Sequence, residues 1–174
     1  MLLLERVKAI MMSPHTAWPA IEKDTDHPSV LFVNYVAILA AIPEVANFIG
    51  QSIVGGYRPV LSGLLRAVVV YVAAFGVIYL IACVIDVLAP RFGGRKHFSN
   101  ALKLAVYSHT PLWLAGIFLM VPGLSFLLLL GVYGVYLLWV GLPPMMQVQK
   151  GQAIPYAIAV TACALIPALV LSIV

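Results

Sequence analysis

The stretch Leu64–Leu88 is the strongest constraint on this chain. It is charged only at Arg66 and Asp86, near its two ends, and everything between is apolar, aromatic or small. A helix needs about 20 mostly apolar residues to cross a bilayer, and this stretch supplies them. Others like it follow. The 174 residues are 63% hydrophobic and 9% charged, where a soluble domain averages about 45–50% and about 25%. Mean hydropathy is +1.06. One small water-soluble core cannot hide that much apolar surface, so lipid must be the solvent. The sequence predicts an all-α polytopic membrane protein.

Five segments reach spanning length, at about residues 29–49, 64–88, 101–121, 124–142 and 153–174. The breaks between them are Gly/Pro-rich or polar: GGYRP at 55–59, PRFGGRKHFSN at 90–100 and PPMMQVQKGQ at 143–152. VPG at 121–123 reads as a tight turn, which makes the third and fourth segments an antiparallel hairpin. The expected division is a polar segment 1–28 and a five-helix membrane domain 29–174. The opening MLLLERVKAIMM has too short an apolar run for a signal peptide.

Basic residues set the expected orientation. With the N-terminus in the cytoplasm, that side receives Arg6, Lys8, Lys23, Arg91, Arg95, Lys96, Lys103 and Lys150. The other side receives Arg58 and Arg66. This is a positive-inside distribution, and it sends the C-terminus, ending at Val174, to the non-cytoplasmic face. The net charge of +4 reports that asymmetry. No basic run is long enough to follow a phosphate backbone, which argues against nucleic acid.

In the first segment Leu3, Val7, Ile10 and Met11 recur at helical spacing, with Glu5 and Lys8 on another face. Two readings are open: an amphipathic helix lying in the interface, or a helix packed on the cytoplasmic loops. Ser13 and Pro14 look like an N-cap and first helical residue. Trp18 is expected as an anchor at headgroup depth. Asp24 and Asp26 read as solvated charges.

Ionisable groups inside spans need partners or a wet cavity. Glu44 and Arg66 fall at matching depth near one membrane surface, and Asp86 and Lys103 at matching depth near the other. Two ion pairs are therefore expected, Glu44–Arg66 and Asp86–Lys103. They would fix which helices are neighbours, since breaking a buried pair costs roughly 3–5 kcal/mol. The alternative use is an ion or proton path.

The third segment contains YSHTP at 107–111. Lys103, Tyr107 and Pro111 repeat every four residues, a stripe expected to face protein. Pro111 frees the carbonyl of Tyr107 and bends the helix, and Ser108 and Thr110 are expected to satisfy backbone groups at the break. His109 is left over, with no acid or second ligand nearby in sequence. In the fourth segment Gly131 and Gly134 would let helices approach closely. Cys83 and Cys163 lie in apolar segments and read as small buried hydrophobes. No catalytic constellation, cofactor motif or metal-ligand spacing is present in the sequence, so the expected function is not enzymatic.

Three stretches carry a resemblance: RVKAIMMSPHTAWPAI at 6–21, GGRKHFSNALKLAVYSHTPLWLAGI at 93–117 and GVYGVYLLWVGLPPMM at 131–146. With them the chain resembles the Yip (Ypt-interacting protein) domain family of five-span membrane proteins, in its short bacterial form. The resemblance implies a bacterial inner-membrane protein whose partners are the lipid bilayer, other membrane proteins or itself. Eukaryotic members organise vesicle traffic and bind small GTPases of the Rab type through a longer cytoplasmic region. Only about 28 residues precede the first span here, which argues against GTPase binding. The expected role is a membrane-organising scaffold; the competing one is a small transporter or channel subunit built on the intramembrane charges and the kinked third segment.

Overall fold

A computed structural model describes residues 3–24 and 28–172. Among them every regular element is helical. Two short helices, α1 (Leu3–Met12) and α2 (Pro14–Glu22), precede a single turn, α3 (Pro28–Leu31). The first long helix follows as α4 (Ala37–Phe48) between two wider π-turns, Phe32–Val36 and Ile49–Val54. The second is α5 (Val60–Leu88), extended by a 3₁₀ turn, Ala89–Phe92. Then come α6 (Phe98–Ser108), α7 (Thr110–Ala115), 3₁₀ helix through Gly116–Met120 and Pro122–Val132, α8 (Tyr133–Met146) and α9 (Lys150–Ser172).

Among the described residues four helices are long and apolar enough to cross a membrane: Phe32–Val54, Val60–Phe92, Pro122–Met146 and Lys150–Val170. The third segment expected from sequence is not one unbroken helix. It stops at Ser108, turns at His109 and restarts at Thr110, because Pro111 cannot donate to the carbonyl of Tyr107. The other segments differ in their ends. The second starts at Val60, on the Pro59 cap. The fourth runs on through Pro143 and Pro144 to Met146, where Gln147 turns left-handed at φ 56°. The fifth starts at Lys150, and its last two expected residues lie outside those described.

The core is organised around α6. Every residue from Asn100 to Ser108 is buried, Lys103 included. α5, α8 and α2 surround it, contributing Ile78, Ile81 and Ile85, Leu137 and Leu142, and Trp18 and Ile21 to one continuous apolar cluster. The N-terminal helices are thus part of the packing. α1 buries Ile10 in the same cluster and leaves Leu4, Lys8 and Met12, one turn apart, exposed. Trp18 is fully buried, so it is not a headgroup anchor: its ring fills the space over Gly141, where a Cβ would come within 2.6 Å of it. Ser13 caps α2 by position only, without a side-chain hydrogen bond.

Candidate functional site

The densest set of polar contacts lies where α2 meets α6. Lys103 Nζ donates to the carbonyl oxygens of Ile21, at 3.2 Å, and Asp24. These are the last carbonyls of α2 and the turn after it, the negative end of a helix dipole, where a cation is favoured. The Asp24 carboxylate forms an ion pair with Arg6 of α1. Asp24 is therefore not a solvated charge; Asp26 lies outside the described residues. The Arg6 guanidinium sits 5.9 Å above the ring of Tyr107. Tyr107 in turn meets Trp18 and Tyr35 edge-on, with centroids 6.3 and 4.8 Å apart. The Tyr35 and Thr110 hydroxyls share a hydrogen bond of 2.8 Å. One column, Arg6–Tyr107–Tyr35–Thr110, thus ties α1, the start of the first long helix and both sides of the kink.

The expected Asp86–Lys103 pair is absent. Matching depth did not bring them together because Lys103 leaves α6 toward α2. Among the described residues Asp86 makes no ion pair, and its buried Oδ1 has no hydrogen-bond partner. Glu44 and Arg66 do meet: Arg66 Nη1 is 3.8 Å from Glu44 Oε2. That is an ion pair without a hydrogen bond, since Oε2 has no hydrogen-bond partner.

At the kink the roles differ from expectation. His109 N–H bonds Val106 O at 3.2 Å in a 3₁₀ turn, so it abandons the usual acceptor, Ala105 O. The His109 side chain replaces it, Nδ1 donating to Ala105 O at 2.8 Å. The repair is thus made by His109. Ser108 Oγ is buried with no partner, and Thr110 is taken by Tyr35. His109, Ser108 and Thr161 line a cavity of about 140 Å³ whose other walls include Gly131, Gly134 and Leu138. Leu112 and Val135 at its edge are exposed, so it is a groove on the bundle's flank.

Gly131 and Gly134 both lie against the third segment. A Cβ on Gly134 would meet Ser108 O at 2.3 Å, and one on Gly131 would meet Leu112 Cδ1 at 2.6 Å. Cys83 and Cys163 are free thiols, and Cys163 is exposed rather than buried, on the outer face of α9. From sequence Arg6 is expected as a cytoplasmic basic residue, Trp18 as an anchor and Asp24 as a solvated charge, and in the structure all three belong to the contact set between α1, α2 and α6. Tyr35 is not singled out by sequence, although Tyr35 near the start of the first segment and Tyr107 in the third sit at similar depth.

No solved structure matches the chain. It is 25% identical over 166 residues to the inner membrane protein YohC of Escherichia coli strain K12, covering 88% of this chain and 85% of that protein. The same figures hold for YohC of Escherichia coli O6:H1. The Yip1 domain matches residues 8–172, which takes in α2, α6 and every long helix; the chain belongs to the Yip1 domain family of membrane proteins.

Proposed function

We propose that this chain is a non-enzymatic, five-span protein of the bacterial inner membrane, with a cytoplasmic N-terminus, that organises the membrane by associating with other membrane proteins or with further copies of itself. The carrying observation is the state of α6. It is buried at every position from Asn100 to Ser108, and two of its polar side chains are spent on neighbouring helices: Lys103 on α2 and Asn100 on Met145 O at 3.0 Å. His109, just past its end, is spent on the α6 backbone. A helix used this way supports a rigid scaffold rather than a conducting path. The fifth crossing is α6 and α7 taken together as one bent span. The inner-membrane location is what the YohC likeness brings to this chain. The exposed face of α1, with Leu4 and Met12 either side of Lys8, suits the headgroup layer and is the surface offered to a cytoplasmic-side partner.

Two measurements test this. Compartment reporters fused at the two termini should read cytoplasmic before Met1 and non-cytoplasmic after Val174; a shared compartment rejects the five-span topology. Purified protein in liposomes should pass no ions above a protein-free control. Flux that disappears in His109→Phe while the protein remains folded would replace the scaffold reading with transport.

A further inference from the structure

The loop between the first two long helices closes over a polar cavity of about 150 Å³, at the end of the bundle away from α1 and α2. Asn47, Gln51 and Ser52 line one wall, and Arg58 and Arg66 the other. The loop is held in place by the Gln51 carbonyl, which accepts from the amides of Tyr57 at 2.9 Å and Arg58 at 3.2 Å. Ser52 is only 9% exposed, and its hydroxyl has no hydrogen-bond partner. It rests against the Cα of Gly63, where an added Cβ would come within 2.1 Å. Neither guanidinium makes a side-chain hydrogen bond with a described residue; Arg66 has only the 3.8 Å contact to Glu44. Two arginines against one carboxylate leave one positive charge. Arg58 and Arg66 both line this cavity, and their surplus charge suits a monoanion with several acceptor oxygens, as Arg forks do for phosphate.

A second cavity, of about 230 Å³, adjoins the first. Phe48 and Ala67 line both. Beyond them the walls turn apolar: Val45, Leu64, Val68 and Tyr71, with Glu44 at the side. From Leu64 to Tyr71 the groove follows α5 for about 10 Å at 1.5 Å per residue, away from the loop and into the hydrocarbon layer. A basic, hydrogen-bonding end at the membrane surface joined to an apolar slot between spans is the shape of a phospholipid site.

We propose that the α4–α5 groove binds a glycerophospholipid with a net-anionic headgroup, its phosphodiester held by Arg58 and Arg66 and one acyl chain lying between Val45 and Val68 beyond the Phe48–Ala67 neck. The basic end sets the charge of the ligand, and the neck requires that it have a tail.

The test is native mass spectrometry of the full chain in detergent, titrated with phosphatidylglycerol, with phosphatidylcholine, or with glycerol phosphate as the headgroup without a tail. Phosphatidylglycerol should bind tighter than phosphatidylcholine. Arg58→Gln, on the exposed loop, should weaken it roughly tenfold or more, the factor carried by one charge-assisted hydrogen bond, and Arg58→Lys should weaken it less. Ala67→Leu should close the neck and lower phosphatidylglycerol binding while leaving Arg58 in place. A melting curve for each variant separates loss of binding from loss of fold. Equal binding of the two lipids, or unchanged phosphatidylglycerol affinity in folded Arg58→Gln, overturns the proposal. So does glycerol phosphate binding as well as the lipid with Ala67→Leu indifferent, which would make the cavity a site for soluble anions.

Discussion

His109 Nδ1 donates to the carbonyl oxygen of Ala105, 2.8 Å away and four residues earlier. Its own backbone N–H would make that bond in an unbroken helix. A carbonyl only accepts, so Nδ1 carries a proton and the imidazole stands in for a lost amide.

Replacing His109 therefore tests the kink itself. His109→Phe should lower stability by about 1–3 kcal/mol, the cost of leaving a buried carbonyl unpaired. His109→Asn, whose amide can reach the same oxygen, should recover part of that loss. Thermal melts in detergent compare the three. Equal stability of all three would mean the bond contributes nothing.

Lys103 and Asp86 should behave as strangers. Lys103→Met should cost roughly 1.5–3 kcal/mol, the range for hydrogen bonds to a charged group, because it strips the end of α2. Combined with Asp86→Asn, the effects should add within about 0.5 kcal/mol. A double-mutant cycle with a larger coupling would restore the ion pair that the packing lacks.

The Glu44–Arg66 pair should be weakly coupled. At 3.8 Å, with side chains 16% and 20% exposed, it has no hydrogen bond to add to its charge attraction. A cycle of Glu44→Gln and Arg66→Gln should give about 1 kcal/mol or less. A coupling near the roughly 3–5 kcal/mol of a broken buried pair would show a tighter contact than the structure has.

The glycines should rank by what they touch. Gly134→Ala should destabilise by about 1–3 kcal/mol, the range for overpacking, since its Cβ would strike backbone at Ser108. Gly131→Ala should cost less, because the nearest atom is the tip of Leu112. Gly76→Ala, with nothing within 4 Å, should be neutral or stabilising. Midpoints of unfolding for the three variants give the order.

Helix class was legible because it depends on local properties: apolar length, Gly and Pro. The ends of the segments were less so, since Pro143 and Pro144 sit inside α8 rather than ending it. Pro111 announced a bend, and YSHTP announced that polar groups would attend it. Which group repaired the bend was not legible. Ser108, His109 and Thr110 all have the chemistry, and the choice depends on the rotation of the turn and on Tyr35, far away in sequence, claiming Thr110. Charges posed the same difficulty. Depth along the membrane normal can be counted from sequence, and it placed Glu44 beside Arg66 correctly. Azimuth around the helix cannot, and Lys103 turned toward α2 instead of toward Asp86. The burial of Trp18 was hidden by its own chemistry, since a tryptophan near a membrane surface serves equally well as an anchor or as a plug. Its partner, Gly141, carries no side chain to advertise the fit.

The bond from Lys103 to Ile21 joins residues 82 positions apart. Synthesis therefore produces α2 long before it produces the lysine that completes it. Through that interval, and on until Gly141 of α8 follows, the site that Trp18 fills is incomplete. A chain halted before α6 carries an unfinished amino terminus, whatever the state of its first two long helices. The front of the molecule thus keeps time with its middle: a docked α2 is a receipt that the third segment has arrived.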